Sequence, residues 1–363
     1  MAARARAARV RRAQADVRAA IGVLRIAGAG MAGLVAAARA RELGAEPVVY
    51  EKGTRAGGSM LLSSGFVWRY RSYELVREQC PGGDPELQRL ILERFDEALD
   101  WLEAKGVELL TRETGNPLTA GARFDPRQLV ETLARDVRLG ETTEEPAILA
   151  TGGFPVRLAR EKGLLLRANR WSEGDGLDLA TARGAAGAGD LEEFYGRAIP
   201  AVDELAEGDF VRLSQLYARY ASITSEDGSE RFDGEPSWSE TDVAQQIARW
   251  PGGRAWLTVE RNALDERVRE RTVADMVEAA RGAGAPVEER DGRIRVLVRA
   301  AVTQTLGGLR VDAWARVLDA AGKPIDGLFA AGADAGGIST GGWSSGLATA
   351  LVLGLVAAES AAG

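Results

Sequence analysis

Three glycines and one acid near the start of the chain have the spacing of a nucleotide-binding turn. Gly28 permits a tight turn, Gly30 lets the backbone approach a pyrophosphate, and Gly33 lets a helix pack closely on a strand. Glu51 is placed to accept a hydrogen bond from a ribose 2′-hydroxyl, which disfavours a ligand with a 2′-phosphate. Because glycine-rich turns also arise for steric reasons alone, the pattern predicts a dinucleotide site only if the surrounding elements agree with it.

The elements around these residues have the required order. An apolar strand beginning at Val23 leads into the glycines, a helix follows with Gly44 just past its end, and a second strand, residues 47–50, leads directly to Glu51. A strand, a helix and a strand in this order form a βαβ unit, in which the helix N-terminus favours an anion. The sequence therefore predicts an α/β fold with a dinucleotide site.

The composition excludes several other classes of function. The chain has 363 residues, a formal net charge of −7 and no histidine, and its single cysteine is Cys80. An acidic chain of this kind lacks the basic face of a nucleic-acid-binding protein. Without histidine and with one cysteine, it has neither an internal disulfide nor the ligands of a His- or Cys-based metal site. We expect a cytoplasmic protein with no metal, no nucleic-acid partner and, since the apolar run 347–358 is too short, no membrane span.

The chain divides into four parts that differ in amino-acid composition and pattern. Residues 1–20 are rich in arginine and predict a solvated helix or frayed tail, with a transit peptide or phosphate-binding arm as the alternative. Residues 194–300 are richer in tryptophan, tyrosine and charge, and we interpret them as an inserted domain. Residues 21–193 and 301–363 share a pattern of apolar strands followed by glycine-rich turns, and we interpret them as two parts of one domain. Helices are predicted over residues 85–105, 126–135, 210–220, 265–281 and from 346 onward.

Six motifs in their order along the chain resemble a known family, the FAD-dependent flavoproteins of the fumarate reductase and succinate dehydrogenase type, which include the 3-ketosteroid Δ1-dehydrogenases. They are GAGMAG with Glu51, GGSMLLSSG, ATGGF, GDG, TLGGLRVD and GLFAAGADAGG. The resemblance implies a Rossmann-like, glutathione-reductase-like FAD-binding domain made of both ends of the chain, with an α+β capping domain inserted between them.

The resemblance also implies where FAD binds. Glu51 and Lys52 would hold the AMP half with the glycine turn, Asp334 would accept from the ribityl chain, and the helix beginning near Gly346 would aim its positive end at the flavin N1 and C2 carbonyl. The expected cofactor-binding residues are Gly28, Gly30, Met31, Ala32, Gly33, Glu51, Lys52, Gly58, Ser59, Ser63, Ser64, Gly65, Thr151, Gly152, Gly332, Asp334, Ser345, Gly346 and Leu347.

The departures from the family pattern bear on covalent attachment and on substrate. Succinate dehydrogenases attach FAD through a histidine in a Gly-Gly-His run, where this chain has Ser59, so we expect FAD to bind non-covalently. Fumarate reductases bind the dicarboxylate with histidines and arginines, and at two of these positions this chain has Gln304 and Trp343. The position of the family's proton-donating arginine falls near Trp238, and that of a further histidine falls at Arg197. Because a dicarboxylate needs two cationic anchors, these replacements argue against fumarate, succinate or aspartate as the substrate.

The catalytic candidates are Tyr195, Arg197, Glu240 and Gln304. Arg197 could hold a carboxylate or enolate oxygen, while Tyr195 or Glu240 could exchange a proton and Gln304 could orient a ligand. The structural alternatives are that Tyr195 packs beside its neighbours, that Glu240 caps the following helix, and that the Gln304 amide bonds to backbone.

These residues lead to three functional hypotheses. The first is an FAD-dependent oxidoreductase that dehydrogenates or reduces a C–C bond next to a carbonyl in a small, non-dicarboxylate organic substrate. The second is a flavin oxidase or dehydrogenase acting on C–N or C–O bonds. The third is a catalytically silent FAD-binding protein. No pattern in the sequence identifies the electron acceptor.

Overall fold

A computed structural model describes residues 23–363, and the arginine-rich segment 1–20 lies outside the described residues. Numbered in chain order, the helices are α1 Met31–Glu42, α2 Tyr73–Gln79, α3 Pro85–Ala104, α4 Pro126–Leu133, α5 Pro155–Lys162, α6 Asp175–Ala182, α7 Thr241–Arg249, α8 Val273–Gly282 and α9 Gly346–Ala362. The strands are β1 Leu24–Ala27, β2 Pro47–Glu51, β3 Phe66–Tyr70, β4 Leu109–Thr111, β5 Thr119–Phe124, β6 Val137–Leu139, β7 Ile148–Leu149, β8 Leu165–Leu166, β9 Gly187–Ala188, β10 Phe194–Pro200, β11 Ala221–Ser225, β12 Arg254–Glu260, β13 Arg267–Val268, β14 Arg271–Thr272, β15 Val287–Arg290, β16 Arg293–Thr305, β17 Gly308–Leu309, β18 Arg316–Leu318 and β19 Pro324–Ala330.

A six-stranded sheet in the order β18-β19-β7-β1-β2-β6 forms the centre of the nucleotide-binding part. All its neighbouring strands are parallel except β18, which pairs antiparallel with β19. The strands come from both ends of the chain, as the α/β prediction requires. Helix α9 packs directly on α1, and a side chain at Gly354 would overlap the Ala32 carbonyl oxygen.

A second sheet has the order β10-β16-β12-β11. Its strands are antiparallel, and the long strand β16 also pairs with β15 and, in parallel, with β8. Apolar side chains of α7 and α8 pack on this sheet and form a separate core. Strand β16 continues past residue 300, so its last residues reach the nucleotide-binding part.

Several helices begin where the sequence has a cap. Asp84 and Asp125 each precede a proline and accept hydrogen bonds from the two backbone N–H groups that follow it, at the starts of α3 and α4. Helix α8 begins with a capping box between Thr272 and Asp275. Within residues 23–363, no helix is both long and apolar enough to cross a bilayer.

Two helix predictions in the second part are wrong. Residues 210–220 contain a turn, an irregular stretch and one 3-10 segment, Ala218–Tyr220, although the spacing of Phe210, Leu213 and Tyr217 is helical and all three are buried. The backbone is paired elsewhere, since Gln215 donates to the Ala198 carbonyl of β10 at 3.0 Å. The helix expected from residue 265 begins only at Val273, because a β13–β14 hairpin precedes it.

Candidate functional site

A deep cleft runs between the two sheets at the carboxyl ends of β1, β7 and β19. Its empty volume is about 2020 Å³, part of which is open to solvent. The crevice outside the carboxyl ends of parallel strands is the usual place for a nucleotide in such a fold. The N-termini of α1 and α9 both face this cleft, since Met31 and Leu347 contribute to its wall.

The turn between β1 and α1 forms the first part of the wall. Gly28 has φ +100°, and a side chain there would overlap the Ala150 carbonyl oxygen of the neighbouring strand. Gly30 has open space where a side chain would lie, and as the N-cap of α1 it gives the helix no side-chain cap. The first N–H groups of α1 are therefore available to a diphosphate, together with the positive end of the helix. Gly33 lies behind the turn, packed against the Gly28 carbonyl.

Glu51 and Lys52 follow at the end of β2, and both line the cleft. The Glu51 carboxylate is 5% exposed and accepts hydrogen bonds from the backbone N–H groups of Ala29 at 2.9 Å and Gly53 at 2.8 Å. Its remaining lone pairs can still accept from ribose hydroxyls. Lys52 is already neutralised, because its Nζ lies 2.8 Å from Glu173 and 2.7 Å from Asp175. It is therefore a weak candidate for the phosphate contact expected from the sequence.

The serine-rich loop adjoins the turn between β1 and α1, since the Gly57 N–H donates to the Ala29 carbonyl at 2.8 Å. Gly58, Ser59, Ser63 and Ser64 line the cleft, whereas Gly65 packs against the Phe124 carbonyl instead. The Ser59 hydroxyl accepts from the Asn169 backbone at 3.0 Å. The Ser63 hydroxyl donates to the Met60 carbonyl at 2.7 Å and accepts from the Gly65 backbone at 3.1 Å. These bonds fix the loop and use the Ser63 donor, whereas the Ser59 hydroxyl only accepts and the Ser64 hydroxyl has no partner among the described residues, so both can donate to a ligand.

Asp334, which the family resemblance assigns to the ribityl chain, lies behind the wall of the cleft. Its side chain is 2% exposed, and it does not line the cleft. The carboxylate accepts from the backbone N–H groups of Thr151 and Gly153 and from the Thr151 hydroxyl at 2.9 Å. Burial raises the Asp334 pKa, although these hydrogen bonds oppose the shift. Asp334 thus holds the turn after β7, whereas Thr151, Gly152 and Gly332 line the cleft themselves.

The N-terminus of α9 ends the cofactor half of the cleft. Ser345 is the N-cap, and its hydroxyl accepts from the Ala348 backbone at 3.3 Å. Gly346 and Leu347 line the cleft, and a side chain at Gly346 would overlap Oε1 of Gln304. Within residues 23–363 the Gln304 side chain makes no hydrogen bond. The first turn of a helix without a nearby acid suits the anionic N1–C2 edge of a reduced flavin.

The far end of the cleft is formed by β10, β16 and the segment before α9. The Tyr195 ring stacks on Trp343, with ring centroids 3.7 Å apart and planes 8° from parallel. Tyr195 is paired with Gln304 across β10 and β16, next to a bulge between Tyr195 and Gly196. The Arg197 guanidinium lies 5.1 Å from the centroid of the Tyr195 ring and donates to the Ser239 carbonyl. The structure thus brings Tyr195, Arg197 and Gln304 together.

Two further arginines line this end of the cleft and were missed in the sequence. Arg167 follows β8 and donates to the Phe210 carbonyl at 2.8 Å and to the Thr303 hydroxyl at 3.0 Å. Arg269 occupies the turn of the β13–β14 hairpin with φ +58° and projects into the cleft. Neither residue belongs to a motif. Arg269 is distinguished by its positive φ, which is uncommon for a non-glycine residue, but this backbone angle cannot be read from the sequence.

The three arginines act on the ionisation of Tyr195. Burial by itself would raise the pKa of Tyr195, but the charges of Arg197, Arg167 and Arg269 outweigh it, so the pKa is lowered overall. A tyrosine shifted in this direction is a better proton acceptor near neutral pH than a free one.

Glu240, the other expected acid or base, lies behind Arg197 and does not line the cleft. It is the N-cap of α7 with φ +53°, yet its side chain does not cap that helix. Its carboxylate accepts from the Ala218 backbone at 3.0 Å. Burial raises the Glu240 pKa to about 7, against the opposing charge of Arg197.

Comparisons with known proteins agree with this architecture. The profile of a family described as FAD binding domain matches residues 25–146 and 141–346. The chain is 22% identical over 93% of its length to the probable fumarate reductase Ifc3 of Shewanella frigidimarina, covering 74% of that protein. A flavocytochrome c3 fumarate reductase in an open conformation superposes with a TM-score of 0.67 at 21% identity, covering 97% of this chain and 80% of that one.

Steroid enzymes have the same fold. The 3-ketosteroid Δ4-(5α)-dehydrogenase of Rhodococcus jostii RHA1 superposes with a TM-score of 0.68 at 20% identity, covering 94% of this chain and 96% of the other. The 3-ketosteroid Δ1-dehydrogenase of Sterolibacterium denitrificans also gives 0.68, at 15% identity, covering 93% of this chain and 99% of the other. The predicted fold class and the FAD cofactor are confirmed. The chain belongs to the FAD-binding domain family and is an FAD-dependent oxidoreductase.

Proposed function

We propose that the protein oxidises or reduces a C–C bond next to a carbonyl group in a small organic molecule, with Tyr195 as the residue that exchanges the proton. The observation that carries this proposal is the position of Tyr195 at the far end of the cleft, stacked on Trp343 and surrounded by arginines. When bound, FAD supplies the two-electron chemistry by accepting or donating a hydride. The protein must then exchange one proton, which Tyr195 is placed to do.

Arg197 and Gln304 have supporting roles in this proposal. Arg197 is 5% exposed and held by the Ser239 carbonyl, so its guanidinium is fixed before substrate arrives. A fixed cation beside the reacting carbonyl stabilises negative charge that develops on its oxygen. Gln304 lies against Gly346 with an unused amide, which suits it to orient a carbonyl. The charge of Glu240 interacts with that of Arg197. Because Glu240 does not line the cleft, we do not assign it a contact with substrate.

In this proposal one part of the chain binds FAD and the other supplies the residues that contact substrate. The glycine turn, Glu51 and the start of α9 hold FAD non-covalently, since the chain has no histidine to attach it. The part built around β10 and β16, which we interpret as the capping domain of residues 194–300, supplies Tyr195 and Arg197. Within it, Trp238 and Ser239 complete the wall around the substrate.

The proposal is tested by anaerobic exposure of the FAD-loaded enzyme to matched panels of saturated and α,β-unsaturated ketones and acids, amines and alcohols. Bleaching of the oxidised flavin by saturated carbonyl compounds, or reoxidation of the reduced flavin by unsaturated ones, is the expected result. Flavin reduction by amines or alcohols alone would assign the enzyme to C–N or C–O bonds. A flavin that responds to no panel would mark a catalytically silent protein.

A further inference from the structure

The cationic side chains that line the cleft fall into two groups. Lys52 lies at the nucleotide end and is paired with Glu173 and Asp175. Arg167, Arg197 and Arg269 lie together at the far end. Within residues 23–363, none of these three forms an ion pair with an acid.

The partners of the arginines leave their charge uncompensated. Arg167 donates only to neutral oxygens, those of Phe210 and Thr303. Arg269, which lies in the exposed β13–β14 turn, makes no hydrogen bond to any residue of the described chain. All three side chains line the same end of the cleft. Burial lowers the pKa of Arg167 to about 10, and the charges of Arg197 and Arg269 add to that effect. A half-buried charge without an acidic partner, such as that of Arg167, is costly, and a bound anion would offset that cost.

Among the residues that the structure describes, the part of this end next to the start of α9 has no cationic side chain. It is formed by Gln304, Trp343 and the glycine that begins α9. Trp343 and Gln304 can donate hydrogen bonds to a neutral carbonyl, but they cannot balance a charge. An extended dicarboxylate, which needs a cation at each end, is therefore a poorer match than a molecule with one anionic end.

We propose that Arg167 and Arg269 form an anion subsite that binds the single carboxylate of a monocarboxylate substrate beside Tyr195. This proposal names the substrate class of the proposed function and rests on it for the reaction. Arg197 is not included, because the Ser239 carbonyl and the nearby Tyr195 and Glu240 already engage it. The requirement for two cationic anchors, which disfavours a dicarboxylate, does not apply to a single carboxylate.

The test uses FAD-loaded, oxidised enzyme and three probes of nearly equal size: crotonate, its neutral amide crotonamide, and the dicarboxylate fumarate. Binding is read from the change in visible flavin absorbance, which requires no turnover. We expect crotonate to bind about tenfold or more tightly than crotonamide, as charge-assisted hydrogen bonds allow, and more tightly than fumarate. Arg269→Gln and Arg167→Gln should each remove that preference, whereas Arg269→Lys should keep part of it.

Arg290→Gln is the matched control, since Arg290 lies on a hairpin far from the cleft with 81% of its side chain exposed. Equal binding of crotonate and crotonamide, or a preference that survives Arg269→Gln, would overturn the subsite. Arg269 is in an exposed turn, so its variant tests the idea even if Arg167→Gln fails to fold.

Failure of the subsite and failure of the reaction give different results. If reduced enzyme transfers electrons to neutral enones but does not prefer crotonate, the proposed function stands and the anion subsite is wrong. If crotonate binds through Arg269 but no C=C bond is ever reduced or formed, the subsite stands and the proposed reaction is wrong.

Discussion

The aromatic rings of Tyr195 and Trp343 are stacked 3.7 Å apart and nearly parallel. Tyr195 belongs to β10 and Trp343 precedes α9, so this contact joins the sheet β10-β16-β12-β11 to the nucleotide-binding part. The Trp343 carbonyl accepts from the Tyr70 hydroxyl at 2.8 Å, which fixes the tryptophan from the other side. A tyrosine held in this way keeps one orientation relative to the start of α9, as a proton-exchanging residue must.

Tyr195→Phe removes the hydroxyl and keeps the stacked ring. We expect substrate-dependent flavin reduction or reoxidation to slow by about 10²- to 10⁴-fold, the usual contribution of a positioned acid or base. FAD content should not change, because Tyr195 is not needed for the nucleotide half. Stopped-flow absorbance at the flavin band measures the rate. Tyr73→Phe, which loses only a hydrogen bond to the Pro85 carbonyl, is the control; an equal rate in Tyr195→Phe and wild type would exclude the role of Tyr195.

Gly30→Ala tests the diphosphate position without damaging the fold. No atom lies where its side chain would go, and Gly30 has φ −78°, which alanine adopts freely. The added methyl group would occupy the space through which a pyrophosphate approaches α1, so we expect FAD to bind about tenfold more weakly or worse, a change of about 1.4 kcal/mol. Fluorescence titration of apoprotein with FAD measures the affinity, and thermal unfolding of the apoprotein should be unchanged.

Gly282→Ala is the matched control for this substitution, since the end of α8 also has free space and an ordinary backbone conformation. Unaltered FAD binding in Gly30→Ala would place the diphosphate elsewhere.

Glu240→Gln should change how stability depends on pH. The Glu240 pKa is raised from 4.5 to about 7 in the folded protein, so the folded state holds this proton after the unfolded state has lost it. The burial cost therefore appears as pH rises through this window, and the free energy of unfolding falls. We expect Glu240→Gln to remove a loss on the order of a few kcal/mol between about pH 5 and pH 8.

Urea unfolding at the two pH values measures this difference. Glu204→Gln, on an exposed segment, is the control. The same pH dependence in wild type and Glu240→Gln would show that Glu240 does not ionise in this range.

Asp334→Asn separates the two roles considered for Asp334. The carboxylate holds the backbone of Thr151 and Gly153, so the variant should lower the stability of the apoprotein by about 1–3 kcal/mol. Any loss of FAD affinity should follow from that local change. If Asp334 instead binds the ribityl chain, FAD affinity would fall while the unfolding midpoint of the apoprotein stayed constant.

The nucleotide-binding part could be predicted because its requirements are local. Residues that follow one another along the chain form the strand, the glycine turn, the helix and the second strand ending at Glu51. The start of α9 is likewise indicated by Ser345 and the apolar run that follows it. The helix predicted over residues 210–220 failed for the opposite reason. Its buried aromatic residues repeat with a helical spacing, but the backbone pairs with β10, which is distant in sequence.

The substrate end of the cleft was predicted only in part. Gln304 was found because it lies in a recognisable motif, whereas Tyr195 and Arg197 were placed by their spacing along the chain. Arg167 and Arg269 come from a strand end and a hairpin turn, and only the tertiary fold brings them to the same wall. Asp334 lies in a motif, yet its buried hydrogen bonds to a distant turn are invisible in sequence.

The central claim is that the reaction occurs at a C–C bond next to a carbonyl, with a proton exchanged through Tyr195. It is tested most directly by reoxidising the reduced enzyme in D₂O with an α,β-unsaturated ketone and its matched acid, and locating deuterium in the product by NMR. We predict a saturated C–C bond with one deuteron added to the carbon next to the carbonyl and a second deuterium on the neighbouring carbon, since the N5 hydrogen of a reduced flavin exchanges with solvent. Tyr195→Phe should form this product far more slowly. A product reduced at the carbonyl itself, or no product from either compound while amines or alcohols reduce the flavin, would contradict the claim.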